Sequence, residues 1–220
     1  TVVLKNGPSG GLHGHPDKLS ISIHDGRKEI LPDLGTTAYG VPDCYAWYQK
    51  TISHNTVTVD RKNQNAVGEK ISLFEPAFNG GRIEAFSENA YPGVKMCRSL
   101  SLDGLKLTDR FTCESEEEHV YDYTLILRDS VALPAARCDM LPEYERISNV
   151  SKGCGDGSCF FELHDGTKLI LNLSVPYELY TGVAPGIPPK GLTPGEDVYP
   201  LIVRVKGKKL DIEVIWKLVE

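Results

Sequence analysis

Apolar and polar residues alternate along Leu19–His24, the period-two pattern of a strand with one buried face. Asp25-Gly26 follows, a strong hairpin-turn signal, and Arg27–Leu31 reads as the return strand. Phe160–His164, Asp165-Gly166 and Lys168–Leu173 repeat the arrangement. A third hairpin is predicted from Leu201–Val205, a turn at Lys206–Lys209, and Leu210–Trp216. Thr51–Val59 and Val120–Leu127, rich in β-branched and aromatic residues, add two further strands. Clean helical periodicity is lacking throughout. Pro42–Lys50 is expected to form a turn or two, with Asp43 as its cap. Thr181–Pro200, with five prolines and four glycines, is expected to be a surface excursion. Many short strands between frequent turn signals predict an all-β, antiparallel, multi-stranded β-sandwich (supersandwich-like) with little helix.

Composition narrows this picture. The chain has 220 residues, enough for one large β domain with a sizeable core. Hydrophobic residues make up 40% and charged residues 25%, which argues against disorder. No apolar run approaches the ~20 residues of a membrane helix. Twenty-four basic against 30 acidic residues give a net charge of −6, which argues against nucleic acid as the main partner. The opening TVVLKNGPSGG has no initiator Met and no signal-like segment, so residues 1–220 are expected to be one domain of a larger protein. Six cysteines permit disulfides without requiring them; Cys154 and Cys159, flanking Gly-Asp-Gly-Ser, are the near neighbours.

Candidate chemistry gathers near the N-terminus in three stretches. They are Gly10-Gly-Leu-His-Gly-His-Pro-Asp-Lys-Leu19, Leu31-Pro-Asp-Leu-Gly-Thr36 and Ser53-His-Asn-Thr-Val-Thr-Val-Asp60. In an extended stretch His13 and His15 would share one face, with Gly14 adding no bulk between them. That arrangement suits a metal ligand beside a catalytic base, and equally two solvated loop histidines. Asp33 and His54 add a carboxylate and an imidazole from other segments, a ligand set that zinc accepts. Taken singly, Asp33 reads as a turn residue after Pro32 and His54 as a polar residue on a strand face.

Together these stretches, with Trp47-Tyr-Gln-Lys-Thr-Ile leading into the third, resemble the heparinase II/III-like family of polysaccharide lyases and the related alginate and oligoalginate lyases. The match is ordered and dense over residues 10–64, and His119-Val-Tyr-Asp-Tyr123 resembles a later strand of the same domain. The resemblance implies a two-part enzyme in which an N-terminal α/α toroid precedes a β-sandwich region, with the active site between them. This chain corresponds to the β part. It implies a structural zinc held by His15, Asp33 and His54, and a catalytic contribution from His13. The implied reaction is β-elimination on an acidic, uronic-acid-containing polysaccharide or oligosaccharide. A secreted or periplasmic location in a bacterium follows from the same resemblance. The fragment by itself is expected to be inactive, because further catalytic residues belong to the toroid.

Tyr39, Tyr45 and Tyr48 lie between Asp33 and His54, and Tyr39 and Tyr45 are the candidate substrate contacts. His24, His119 and His164 read as sheet-face or core-edge histidines. The net charge of −6 sits awkwardly with an anionic substrate, although zinc or the toroid would supply local positive charge. Two other readings remain: a non-catalytic carbohydrate-binding or structural β-domain, and a metal-dependent hydrolase.

Overall fold

The runs of alternating and β-branched residues pair into two antiparallel sheets. A computed structural model describes the chain except residues 9, 10, 134, 135, 138–140, 142, 189–194 and 220. Cys138 lies outside the described residues. The strands are β1 (Val2–Lys5), β2 (Ser20–His24), β3 (Glu29–Leu31), β4 (Val57–Val59), β5 (Ile71–Ala77), β6 (Gly80–Tyr91) and β7 (Val94–Asp103). They continue with β8 (Lys106–Leu127), β9 (Ala136–Arg137), β10 (Ser148–Gly155), β11 (Ser158–Glu162), β12 (Lys168–Leu173), β13 (Tyr177–Pro185) and β14 (Asp197–Lys217). Strands β1–β2–β3 form a small sheet. The larger sheet runs β5–β6–β7–β8–β14–β13–β10–β9, with β4 added to β8 and the β11–β12 hairpin added to β14.

Its spine is the antiparallel pairing of β8 with β14 along nearly their whole length. In the β8 segment after His119, Tyr121, Tyr123, Leu125 and Leu127 enter the larger core, while Ile126 enters a second core with Trp47, Tyr144 and Ile202. A strand sends alternate side chains to opposite faces, and here both faces are covered. Each fully buried aliphatic side chain contributes roughly 1.5–3 kcal/mol relative to exposure. A slip of one residue would bring Asp122 and Thr124 into the larger core, so the register is tightly set.

Two of the predicted hairpins form, β2–β3 and β11–β12. The third does not. Lys206–Lys209 lies inside the continuous β14, where a register shift between Gly207 and Lys209 takes up the irregularity. The polar segment looked like a turn, but β8 supplies a partner on both sides of it, and Lys209 meets Glu114 at 3.2 Å. Thr51–Val59 is a strand only at Val57–Val59; Thr51–Ser53 winds into a short 3₁₀ turn. Residues 44–48 form one turn of π-helix, and Asp43 makes no capping bond, pairing instead with Arg146 at 2.9 Å. Within the stretch expected to be an excursion, residues 181–185 and 197–200 belong to β13 and β14, and residues 189–194 lie outside the described residues. His164 lies exposed in the loop after β11, not on a strand, whereas His24 and His119 are partly buried strand residues as expected. Cys154 faces Glu178 and Cys159 faces Leu171 across their ladders, and the five described cysteines are free thiols.

The two sheets are joined by buried polar groups. The Asn55 side chain donates to the carbonyls of Ile21 (2.8 Å) and Pro32 (2.9 Å) and accepts from the Ile126 amide (2.7 Å). Arg98 and Asp109, both fully buried, form a two-bond pair at 2.8 and 2.6 Å. Arg98 also donates to the carbonyl of Leu19 at 2.7 Å and to that of Asn55. These bonds fix the segments around residues 19, 32 and 55, on which the candidate site stands.

Acid weakens the fold through paired carboxylates. Burial alone would raise the Asp60 carboxyl, but the Val120 amide and His119 outweigh it and hold it below the ordinary value of 3.8. Asp165 is lowered against the same cost of burial by bonds from Thr167 and Lys28. A depressed carboxyl contributes stability above its unfolded value and loses it as pH falls through the lower folded one. Denaturant midpoints are therefore expected to hold above the ordinary carboxylate range and fall below it. Asp60→Asn should be less stable at neutral pH and flatten that fall; an unchanged slope would show that Asp60 does not contribute.

Candidate metal centre and active-site face

Asp33 follows β3, and His54 precedes β4. Asp17 lies just ahead of β2. Ligand atoms of Asp17, Asp33 and His54 all lie within 4.8 Å of one another. His15 packs beside them, its ring 5.2 Å from that of His54. The fold thus brings Asp17, Asp33 and His54 within ligand distance of one another, with His15 beside His54. Asp17 belongs to the first motif, and its place two residues beyond His15 is the only sequence signal for it. Lys5, from β1, had no signal. Its ammonium bridges Asp17 and Asp33 at 2.6 and 2.7 Å.

The electrostatics follow from burial and these neighbours. Burial pushes the His54 imidazole down to about 4, against the pull of Asp17 and Asp33, so the ring is neutral at pH 7. Burial likewise lowers His15. Burial opposes ionisation of Asp33, but the bond and charge of Lys5 prevail and hold its carboxyl below 3.8.

His54 is 2% exposed, and neither ring nitrogen has a hydrogen-bond partner. A neutral imidazole has one donor and one acceptor nitrogen. Leaving a buried polar group unpaired costs about 1–3 kcal/mol. Lys5 compensates the carboxylates without making a bond to His54. A cation accepting nitrogen and oxygen ligands would use the His54 lone pair and both nearby carboxylates, and zinc takes such donors. The residues present therefore fit a zinc ion. Asp17, Asp33 and His54 have ligand atoms close enough to share one ion, and His15, the other expected ligand, packs beside His54.

His13 has different surroundings. The stretch is not extended: Gly11–His13 forms a 3₁₀ turn, closed by the Gly14 amide on the Gly11 carbonyl at 3.1 Å. His13 is consequently exposed and its Nδ1 is hydrogen-bonded to the Tyr39 hydroxyl, while His15 turns toward His54. Tyr39 lies 5.7 Å from His13 and 6.4 Å from Tyr45 between ring centres. Tyr39 and Tyr45 are 46% and 56% exposed and lie side by side, so their ring faces are open to solvent. Tyr48 is buried, its hydroxyl donating to the Gly186 carbonyl at 2.8 Å. His13, His15, Lys5, Asp17, Asp33 and Thr36 line one open groove. Asp17 and Asp33 of the cluster line this groove, and Tyr39 meets it through His13.

Residues 1–173 match the family described as "Heparinase II/III-like, C-terminal". The chain is 29% identical over 103 residues to a heparin-sulfate lyase of Bacteroides stercoris, covering 45% of this chain and 15% of that protein. It is 32% identical over 120 residues to an exo-oligoalginate lyase of Saccharophagus degradans, covering 46% and 16%. The fold superposes on a heparinase III with a TM-score of 0.72 at 19% identity, over 99% of this chain and 32% of that one. The corresponding values for heparan sulfate lyase from Pedobacter heparinus are 0.70, 15%, 98% and 32%. The chain therefore spans about one sixth of the length of these curated relatives and a third of the solved chains. The profile covers well over half the chain, and the β architecture agrees throughout: the protein belongs to the heparinase II/III-like family, in its C-terminal β region.

Proposed function

We propose that this chain is the β-domain of a polysaccharide lyase that cleaves uronic-acid-containing glycans by β-elimination, with a structural zinc beneath its catalytic face. The observation that carries the reading is the exposed His13–Tyr39 pair, set beside the buried and unpartnered His54. Relatives named as heparin-sulfate and oligoalginate lyases support the substrate class.

In β-elimination a base takes the C5 proton, the C5–H electrons form the C4–C5 double bond, and the C4–O bond breaks. The leaving oxygen then takes a proton from an acid. Tyr39 holds Nδ1 of His13 and leaves Nε2 to exchange a proton with the sugar. Tyr39 and Tyr45 offer faces on which a pyranose ring can rest. Zinc, when bound, would supply fixed positive charge that ties Asp33 and His54 together. Lys5 keeps Asp17 and Asp33 paired, and Asn55 and Arg98 hold the underlying segments. The remaining acid or base and the rest of the cleft belong to an N-terminal α/α toroid in the same enzyme. A secreted or periplasmic location in a bacterium completes this reading.

Metal content tests the reading first. Elemental analysis is expected to give about one zinc per chain, lost in His15→Ala and in His54→Ala. The full-length enzyme should release products absorbing in the ultraviolet, and this chain alone should not. Metal-dependent cleavage without an unsaturated product would favour a hydrolase instead.

A further inference from the structure

A second pocket, of about 380 Å³, opens beside the 44–48 helix, away from the groove that contains His13. The same helix that lends Tyr45 to the aromatic face lends Trp47 to this pocket. Lys50, Thr58, Arg61, Asn63 and Tyr144 complete its polar and aromatic lining. Its volume is that of a small-molecule site.

Three features set it apart from a surface dent. Thr58 lies on β4, is 2% exposed, and its hydroxyl has no partner. Asp60 and Arg61, neither a glycine, hold left-handed backbone with φ of 50° and 62°. Such strain persists where the surroundings enforce it. Here Asp60 accepts from the Val120 amide at 3.0 Å and pairs with His119 at 2.8 Å, and the strained turn delivers Arg61 to the pocket. Glu143 is already paired with Arg61 at 2.9 Å and Arg204 at 3.1 Å. Lys50 and the exposed Glu145 have no ion-pair partner among the described residues. The Asn63 Oδ1 accepts from the Thr51 amide at 3.0 Å, so the groups left for a ligand are the Thr58 hydroxyl, the Asn63 amino group, one ammonium and one carboxylate, beside aromatic surface. That mixture suits the alternating donors and acceptors of a sugar ring better than a strong anion or an apolar ligand.

We propose that this pocket is a second glycan subsite, holding one pyranose unit of the polysaccharide apart from the His13 groove. Thr58 and Asn63 bond its hydroxyls, and Lys50 takes an acidic substituent. The substrate class rests on the lyase reading above; the pocket itself does not.

The test uses this 220-residue chain with two probes, an alginate hexasaccharide and a heparan-sulfate hexasaccharide. Binding is followed by calorimetry and by amide shifts of residues 46–63. Lys50→Ala and Thr58→Val are each expected to weaken binding about five- to tenfold, with His13→Ala leaving these shifts in place. Thr58→Val should melt no lower than the parent, because it removes an unpartnered buried hydroxyl. Failure of both probes to move residues 46–63, or equal affinity in Lys50→Ala and Thr58→Val, would overturn the proposal. Loss of binding in His13→Ala alone would overturn it too, while leaving the lyase reading intact. Shifts at the pocket in an enzyme that never yields unsaturated product would support the subsite and remove the lyase reading.

Discussion

Replacing Arg98 with Met is expected to destabilise this domain by about 3–5 kcal/mol. Arg98 and Asp109 are both fully buried and meet through two bonds, with the Tyr123 hydroxyl donating to Asp109 at 2.8 Å. Removing the guanidinium leaves a carboxylate in the core with its main partner gone. It also frees the carbonyls of Leu19 and Asn55, which Arg98 binds through Nη1. For a domain of this size the melting temperature should drop by roughly 10 °C or more. Arg98→Met/Asp109→Leu should recover much of the loss, because a buried ion pair is costly to break but often replaceable as a unit. A shift below about 2 °C in the single variant would show that the pair does not hold the sheets together. Calorimetry or thermal circular dichroism checks both.

The second large effect is catalytic. In the full-length enzyme, His13→Ala is expected to lower kcat by about 10²–10⁴-fold, the range for losing a positioned proton-transfer group. Zinc content and melting temperature should not change, since His13 is exposed and stands outside the Asp17, Asp33 and His54 group. That contrast separates the role of His13 from that of His54, whose loss should remove metal and activity together. Tyr39→Phe removes the hydroxyl that orients Nδ1, and about a tenfold loss is expected, with KM less affected than kcat. Ultraviolet absorbance of the unsaturated product reports all three. Retention of more than about a tenth of the activity in His13→Ala would remove His13 from the chemistry.

Legibility in the sequence followed the range of the interactions. The hairpins at Asp25-Gly26 and Asp165-Gly166 were readable because their turn residues and alternating strands are neighbours in the chain. The false hairpin at Lys206–Lys209 failed for the opposite reason. Its local polarity is that of a turn, but its partner is β8, some ninety residues earlier. His13 and His15 were expected on one face, and a 3₁₀ turn at Gly11–His13 gave them different surroundings.

The sequence by itself determined the β class and the two short hairpins, and its motifs marked His13, His15, Asp33 and His54 as candidate site residues. Each depends on local pattern or on motifs read in order. Tertiary structure alone decided that Asp17 and Lys5 join the cluster, that His54 is buried without partners, and that Tyr39 and Tyr45 stand beside His13 while Tyr48 is buried. It also decided that Arg98 and Asn55 tie the two sheets together beneath the site. Burial and pairing across separate strands are properties of the packed chain, and residues far apart in sequence acquire them only when β1, β3, β4 and β8 come together.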